Sequence, residues 1–387
     1  MTDAAPRSCV YLDHSATSWP KPPEVVDAVV GAMTVSGANP GRGAYAMALA
    51  ASRIVFESRR ACADLLGVPD ARDLAFVSGC TEACNLMLKG LLAPGDRVVV
   101  SSMEHNAITR PLHALSLTGV RVDVVRADET GRVHADDFER AVRAEPTRAV
   151  ICQHASNVTG AIHPVADLAD IAHENGALLL VDGAQAVGHL DVDLAVLQVD
   201  AYAASGHKGL LGPQGVGVLY LRPGLDATEL LQGGTGGGSS EDEAQPQGRP
   251  ERYEAGTPNT PGIAGLGAAA RLLIAHGAEW RAEEQAVFGE LKRGLAAIPG
   301  VTVLGPAVDE PCAPTLSLVS DRLDCDRIAF ELDRRYGIAV RSGLHCAPWA
   351  HRTLGTLETG AVRIGVGHGT TRDAAAAVLA ALREMLS

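Results

Sequence analysis

Between Ala75 and Leu221 short apolar runs alternate with stretches of helical character: AFVS, RVVVS, VRVDVV, RAVICQ, ALLLVD, DAYAAS and GVGVLYL follow one another along the chain. Runs that are almost wholly Val, Ile, Leu and Ala suit strands buried on both faces, and helical spacers between them favour parallel pairing. The pattern predicts an α/β domain with a mostly parallel sheet between helices. In such sheets the chemistry gathers beyond the carboxyl ends of the strands. The residues to read are therefore Ser78 to Thr81, Glu104 to Asn106, His154 to Asn157, Asp182 to Gln185 and Ser205 to Lys208.

The 387 residues exceed the roughly 100–150 typical of one domain, so one large or two unequal domains are expected. Residues 232–251 form a Gly/Ser and then acidic tract without periodicity, expected to be a long mobile loop, either a plain linker or a lid. A helix is predicted from about Pro261 to Ala297. Beyond it, TVLG, TLSLVS, IAVRS and VRIGV read as strands, with helices near Cys325 to Tyr336 and Arg372 to Leu386, a smaller α+β unit. The boundaries expected are 20–275 for a large cofactor-binding domain, with 1–19 and 276–387 forming a small one.

Charge and motif content remove several classes of function. Thirty-three Lys and Arg against 46 Asp and Glu leave a net charge of −13, which repels nucleic-acid phosphates and anionic lipid. The most apolar stretches are interrupted by Arg271 and Arg383, so no spanning helix is expected. The first ten residues are polar and do not read as a secretion signal, and a cytoplasmic location is expected. The GxGxxA matches at Gly41 and Gly265 do not sit between a strand and a helix, and no P-loop or GxSxG motif occurs. The eight cysteines contain no CxxC pair, so neither a disulfide framework nor a zinc site is expected.

The strongest constellation joins LLLVDGAQAVGH (178–189) to AASGHKG (203–209). Alone, Asp182 reads as a capping carboxylate and Lys208 as a solvated lysine. At consecutive strand ends, with Gln185 and His207 beside them, they form a different set. A buried carboxylate needs a cation or a ring N–H, and a partly desolvated amine becomes nucleophilic. Those are the two halves of a pyridoxal phosphate site, a lysine for the Schiff base and an acid for the pyridine nitrogen. SGCTEACN (78–85) puts Gly79, Cys80 and Thr81 at a helix start suited to a phosphate. His105 in SMEHNA can stack on the ring, or cap a helix.

These motifs carry a resemblance that runs nearly end to end. YLDHSAT (11–17), SGCTEACN, EHNA, HASNVTG (154–160), DGAQAVGH, SGHKG, YEAGTPNT (253–260), RSGLHCAP (341–348) and AVRIGVGHGTT (361–371) are similar to those of the cysteine desulfurases in the class V aminotransferase group, fold type I of the pyridoxal phosphate enzymes. The resemblance implies a seven-stranded, aspartate aminotransferase-like large domain and a homodimer. It implies Lys208 as Schiff-base lysine, Asp182 on the pyridine nitrogen, Gln185 on the phenolic oxygen and His105 on the ring face. Thr81, Ser205 and His207 would hold the phosphate, and Thr257 would reach the phosphate of a second subunit. Asn157 and Arg363 match the clamp for the substrate α-carboxylate, and Arg42 and Arg341 match further pocket arginines.

Cys346 aligns with the desulfurase nucleophile, on a short segment close to Arg341, and the company of His345, His351, Arg341 and Arg352 is expected to favour its thiolate. The competing reading is a structural thiol. Cys80 and the 232–251 tract depart from the relatives' pattern. The implied reaction converts L-cysteine to L-alanine with a persulfide on Cys346, to be passed to a sulfur acceptor. Alternatives are a selenocysteine lyase, a carbon–sulfur lyase that eliminates pyruvate and ammonia from a cysteine conjugate, and a sulfur-relay or scaffold subunit without turnover.

Overall fold

A computed structural model describes residues 9–41, 43–235 and 243–386. After the short strand β1 (Val10–Tyr11), seven strands build the large sheet: β2 (Leu74–Val77), β3 (Arg97–Ser101), β4 (Arg121–Val125), β5 (Ala149–Gln153), β6 (Leu178–Asp182), β7 (Ala201–Ser205) and β8 (Gly217–Leu221). Each of the seven apolar runs read from the sequence becomes one of these strands. Their order is β2-β8-β7-β6-β5-β3-β4, and β8 alone runs antiparallel to its neighbours. Every residue of β3, β5, β6, β7 and β8 is buried, as near-continuous apolar runs require. One apolar core lies on each face of the sheet, one including Val99, Val150 and Val181, the other Val98, Ile151 and Leu180. These are alternate residues of the same strands, as the two-residue pleat dictates.

The predicted helix is a single rod of 37 residues, Thr260–Ala296, started by Asn259, whose side chain accepts from the Gly262 amide. Its first half packs in the large core through Ile263, Leu266 and Leu273, and its last turns pack through Phe288, Leu291 and Leu295 in a third core. That core lies under a second sheet made of β9 (Val301–Leu304), β10 (Thr315–Ser320), β12 (Arg341–Gly343) and β13 (Ala361–Gly365), ordered β12-β13-β10-β9 and antiparallel throughout. The single strand expected at IAVRS is divided. Its first part, β11 (Ile338–Ala339), pairs in parallel with β1, and its second part joins the sheet. No described helix is long and apolar enough to cross a membrane.

The flanks of the 232–251 tract differ from the mobile loop expected. Arg249 donates to the Asp73 carboxylate at 2.9 Å and to the carbonyl of Leu221, and Gln245 is buried and accepts from the Gly233 amide. An arginine reaching back to a sheet edge supplies an anchor that composition does not reveal. Residues 236–242 lie outside the described residues.

Candidate active site

The carboxyl ends of β5, β6 and β7 form the floor of a cleft of about 350 Å³, lined among others by Lys208, Asp182, Gln185, His105 and Arg363. Asp182 closes β6 in register with Gln153 and Ala203 on either side, and is only 4% exposed. Its Oδ1 accepts the Ala184 amide at 2.9 Å and the Cys80 thiol at 3.3 Å. The turn after β6 is pressed against the turn that carries Lys208. Gly188 has φ +91°, and a Cβ there would collide with the Gly209 carbonyl. Burial lowers the pKa of the Lys208 amine, opposed by the negative charge of Asp182.

A helix start closes one end of the floor. The helix Cys80–Leu91 starts at Gly79 without a side-chain cap, so its first amides are available toward the cleft, which Gly79, Cys80 and Thr81 line. Ser205 and His207 line the same cleft. The His207 carbonyl is held by Ser18, Thr17 and Lys21, while its Nδ1 is buried without a partner. Burial, with Lys208 and Lys21 nearby, brings the His207 pKa down to about 4.

His105 is a helix cap that also faces the cleft. It caps the helix Asn106–Ser116, with Nδ1 accepting from the Ala107 amide at 3.0 Å, and it lines the cleft. Burial and the Lys208 charge lower its pKa to about 4, so the ring is neutral near pH 7. Gln185 donates to the Ser15 carbonyl at 2.9 Å, and its Oε1 is buried without a partner. Ser15 was not singled out in the sequence, although YLDHSAT contains it.

The second sheet supplies the opposite wall. Arg363 on β13 and Arg341 on β12 face each other in register and both line the cleft. Arg363 is 2% exposed, bonded to Asp13 at 2.8 Å and to the Asn157 carbonyl at 3.2 Å, and its Nε is buried without a partner. Asp13 was missed because its partner lies 350 residues away. Asn157 spends one amide proton on the His345 carbonyl, 2.8 Å away, leaving Oδ1 buried and free.

Cys346 stands at the rim, exposed, with its Sγ 3.7 Å from Arg341 Nη2. It and His345 adopt left-handed backbone, φ +57° and +50°, a conformation that costs non-glycine residues about 1–3 kcal/mol each. The Asn106 amide donates to the Cys346 carbonyl at 2.8 Å and, with Asn157 on His345, holds the turn. The expected histidine cations are not there. Burial lowers His345 to about 2 and His351 to about 4, so both rings are neutral at pH 7 and Arg341 is the cation next to the thiol.

Two candidates are not among the described lining residues of the cleft. Thr257 is exposed and lines an adjoining cavity that shares Ser78 and Glu82 with the cleft. Arg42 lies outside the described residues.

Comparison with known proteins matches residues 10–378 to the family described as Aminotransferase class-V. A probable cysteine desulfurase of Methanothermobacter thermautotrophicus is 36% identical over 95% of this chain and 92% of its own. A cysteine desulfurase of Escherichia coli O127:H6 is also 36% identical, over 87% of this chain and 84% of its own. The solved structure of apo cysteine desulfurase from Thermococcus onnurineus NA1 superposes with a TM-score of 0.91 at 31% identity, covering 98% of this chain and 94% of that one. With matches along nearly its entire length, the chain belongs to the class-V aminotransferase family, in its cysteine desulfurase group.

Proposed function

We propose that the protein is a pyridoxal-phosphate-dependent cysteine desulfurase that converts L-cysteine to L-alanine and leaves the sulfur as a persulfide on Cys346. The observation that carries this reading is the floor of the cleft, where the buried Lys208 amine and Asp182 share a pocket with polar atoms that lack partners, Gln185 Oε1 and His207 Nδ1. Buried polar atoms without partners are costly and call for a ligand. The donors fit pyridoxal phosphate. Asp182 would meet the pyridine N–H, Gln185 the phenolic oxygen, His105 the ring face, and the uncapped helix start with Thr81, Ser205 and His207 the phosphate. When bound, the cofactor supplies a covalent anchor for amines and an electron sink that loosens bonds at the substrate's α-carbon and the Cβ–Sγ bond.

The chain's own residues do the rest. Arg363 Nε, held in place by Asp13 and the Asn157 carbonyl, binds the substrate carboxylate with Arg341 across the strand pair. Lys208 Nζ, with its pKa lowered by burial, moves the proton from Cα. The Cys346 thiolate attacks the substrate Sγ, so that an S–S bond forms as Cβ–Sγ breaks with its electron pair left on the carbon side; Cβ takes up a proton and Lys208 returns one to Cα to give alanine.

The division into a large domain (20–275) and a small one (1–19 with 276–387) is part of this reading, since one brings Lys208 and the other Cys346. A homodimer is supported by Thr257, which is exposed and does not line the cleft of its own chain, and by exposed apolar residues such as Val26, Val30, Met33 and Phe56. Eight free thiols suit a reducing compartment, and we assign the protein to the cytoplasm. A sulfur acceptor would be met at the exposed Cys346.

Product analysis tests the reaction. The loaded enzyme with L-cysteine and a thiol reductant should yield sulfide and alanine in equal amounts, and Cys346→Ala should yield neither. Pyruvate in place of alanine would overturn desulfuration in favour of a carbon–sulfur lyase.

A further inference from the structure

Cys84 has no part in the reaction derived above, yet its thiol belongs to a compact set of soft donors. Cys80 and Cys84 lie one turn apart on the helix Cys80–Leu91, so their side chains share a face. Their Sγ atoms are 3.8 Å apart, and Cys80 Sγ is 3.3 Å from Asp182 Oδ1. Donor atoms of all three lie within 4.8 Å of one another, and all three residues are buried. A tetrahedral zinc-like ion with bonds of about 2.3 Å to sulfur and about 2.1 Å to oxygen needs S···S near 3.8 Å and S···O near 3.6 Å. The sulfur pair already has that spacing, the Cys80 sulfur is within a few tenths of an ångström of the required distance from the carboxylate oxygen, and the Cys84 sulfur lies within 4.8 Å of the carboxylate. A search for CxxC spacing misses such a pair, because on a helix the bite comes from residues four apart.

We propose that the cofactor-free protein binds one soft divalent cation, zinc or cadmium, through Cys80 Sγ, Cys84 Sγ and the Asp182 carboxylate, and that this ion and pyridoxal phosphate exclude each other. Two thiolates select such ions over magnesium or calcium. Cys80 lines the cleft and gives the ion its entry, with Cys84 directly behind. Binding involves no redox change. Two thiols each release a proton to solvent, two M–S bonds and one M–O bond form, and solvent completes the coordination. Exclusion follows because the carboxylate that ligates the ion is the one assigned to the pyridine N–H, and this half of the proposal rests on the function proposed above. The consequence is a check on loading, in which free soft metal keeps newly made chain from acquiring its cofactor.

The test titrates cofactor-free protein with cadmium, following the thiolate-to-cadmium ultraviolet band and counting protons released. One cation and about two protons per chain are expected. The same result is expected for Cys346→Ser and for Cys9→Ser, which remove the two exposed thiols in turn. Cys84→Ser, with Cys80→Ser as a second variant should the first fail to fold, should weaken binding at least tenfold. Equal binding by Cys84→Ser and wild type, or loss of binding in Cys346→Ser, overturns the site. Protein loaded with pyridoxal phosphate should show no band, and undiminished binding there overturns the exclusion. If the chain takes up no pyridoxal phosphate, the proposed function fails, while the cadmium titration still decides the metal site.

Discussion

The floor of the cleft and its rim are built in different ways. Asp182 is fixed by the sheet itself, in register between two strands, and Lys208 sits in a turn pressed against the one that follows Asp182. Cys346 has no such frame. It is exposed, in left-handed backbone, and two hydrogen bonds from the floor side, Asn106 to its own carbonyl and Asn157 to that of His345, keep its turn in shape. The part proposed to hold the cofactor is thus fixed by architecture. The part proposed to take the sulfur is attached to it by a few polar contacts, and changes to each should have separable effects.

The largest effect is expected at the floor. Lys208→Ala should lower desulfuration by roughly 10⁴-fold or more, since the amine both anchors the cofactor and moves the α-proton. The visible absorbance of the lysine-bound cofactor should disappear with it. An active variant would break the assignment of the floor. Next comes the rim. Cys346→Ala should cut sulfide release from L-cysteine by about 100-fold or more while cofactor absorbance stays as in wild type. Selenocysteine, whose selenium leaves more readily, sharpens the contrast, and its turnover should survive the same change. Loss of cofactor in Cys346→Ala would mean that rim and floor are one unit.

Asn157→Ala probes the joint between the two. It leaves the buried His345 carbonyl without its donor, at a cost of about 1–3 kcal/mol, or roughly tenfold to 100-fold in rate. The fall should appear in kcat for sulfide release, with cofactor occupancy unchanged, because Asn157 positions the turn as well as lining the cleft. A parallel fall in cofactor occupancy would show that the joint supports the floor instead.

The same division explains what could be read from the sequence. The strands were legible because buried parallel strands need continuous apolar runs, and Asp182, Lys208 and His105 were legible because such sheets place chemistry at their carboxyl ends. What stayed hidden depends on long-range partners. The bond from Asn157 to His345 spans 188 residues, and Arg249 ties down the end of the 232–251 tract by reaching Asp73, 176 residues away. His345 and His351 look like cations beside Cys346 in RSGLHCAPWAH, but burial makes them neutral, and burial is set by the packing of the whole chain.

An effect on stability rather than turnover tests how dry the floor is. Glu104, fully buried beside His105, accepts at Oε1 from the Ser101 hydroxyl and from the Gln153 amide at 2.9 Å, while its Oε2 has no partner. Burial raises its pKa from 4.5 to about 8, against those hydrogen bonds and with help from the Asp182 charge. The folded chain therefore keeps a proton that the unfolded chain loses above pH 4.5. Between the two values the folded state binds more protons, so stability falls as pH rises, by up to roughly 1.4 kcal/mol per pH unit. Stability from this proton is complete below the lower value and lost on passing the upper one. Glu104→Gln keeps the shape and the Oε1 acceptor but has no proton to lose. Thermal unfolding of both proteins from pH 5 to 8 should show the variant gaining on wild type with each step upward. Parallel curves would mean that Glu104 is ionised in the native protein and that the floor admits water, which would erase the contrast with the exposed rim.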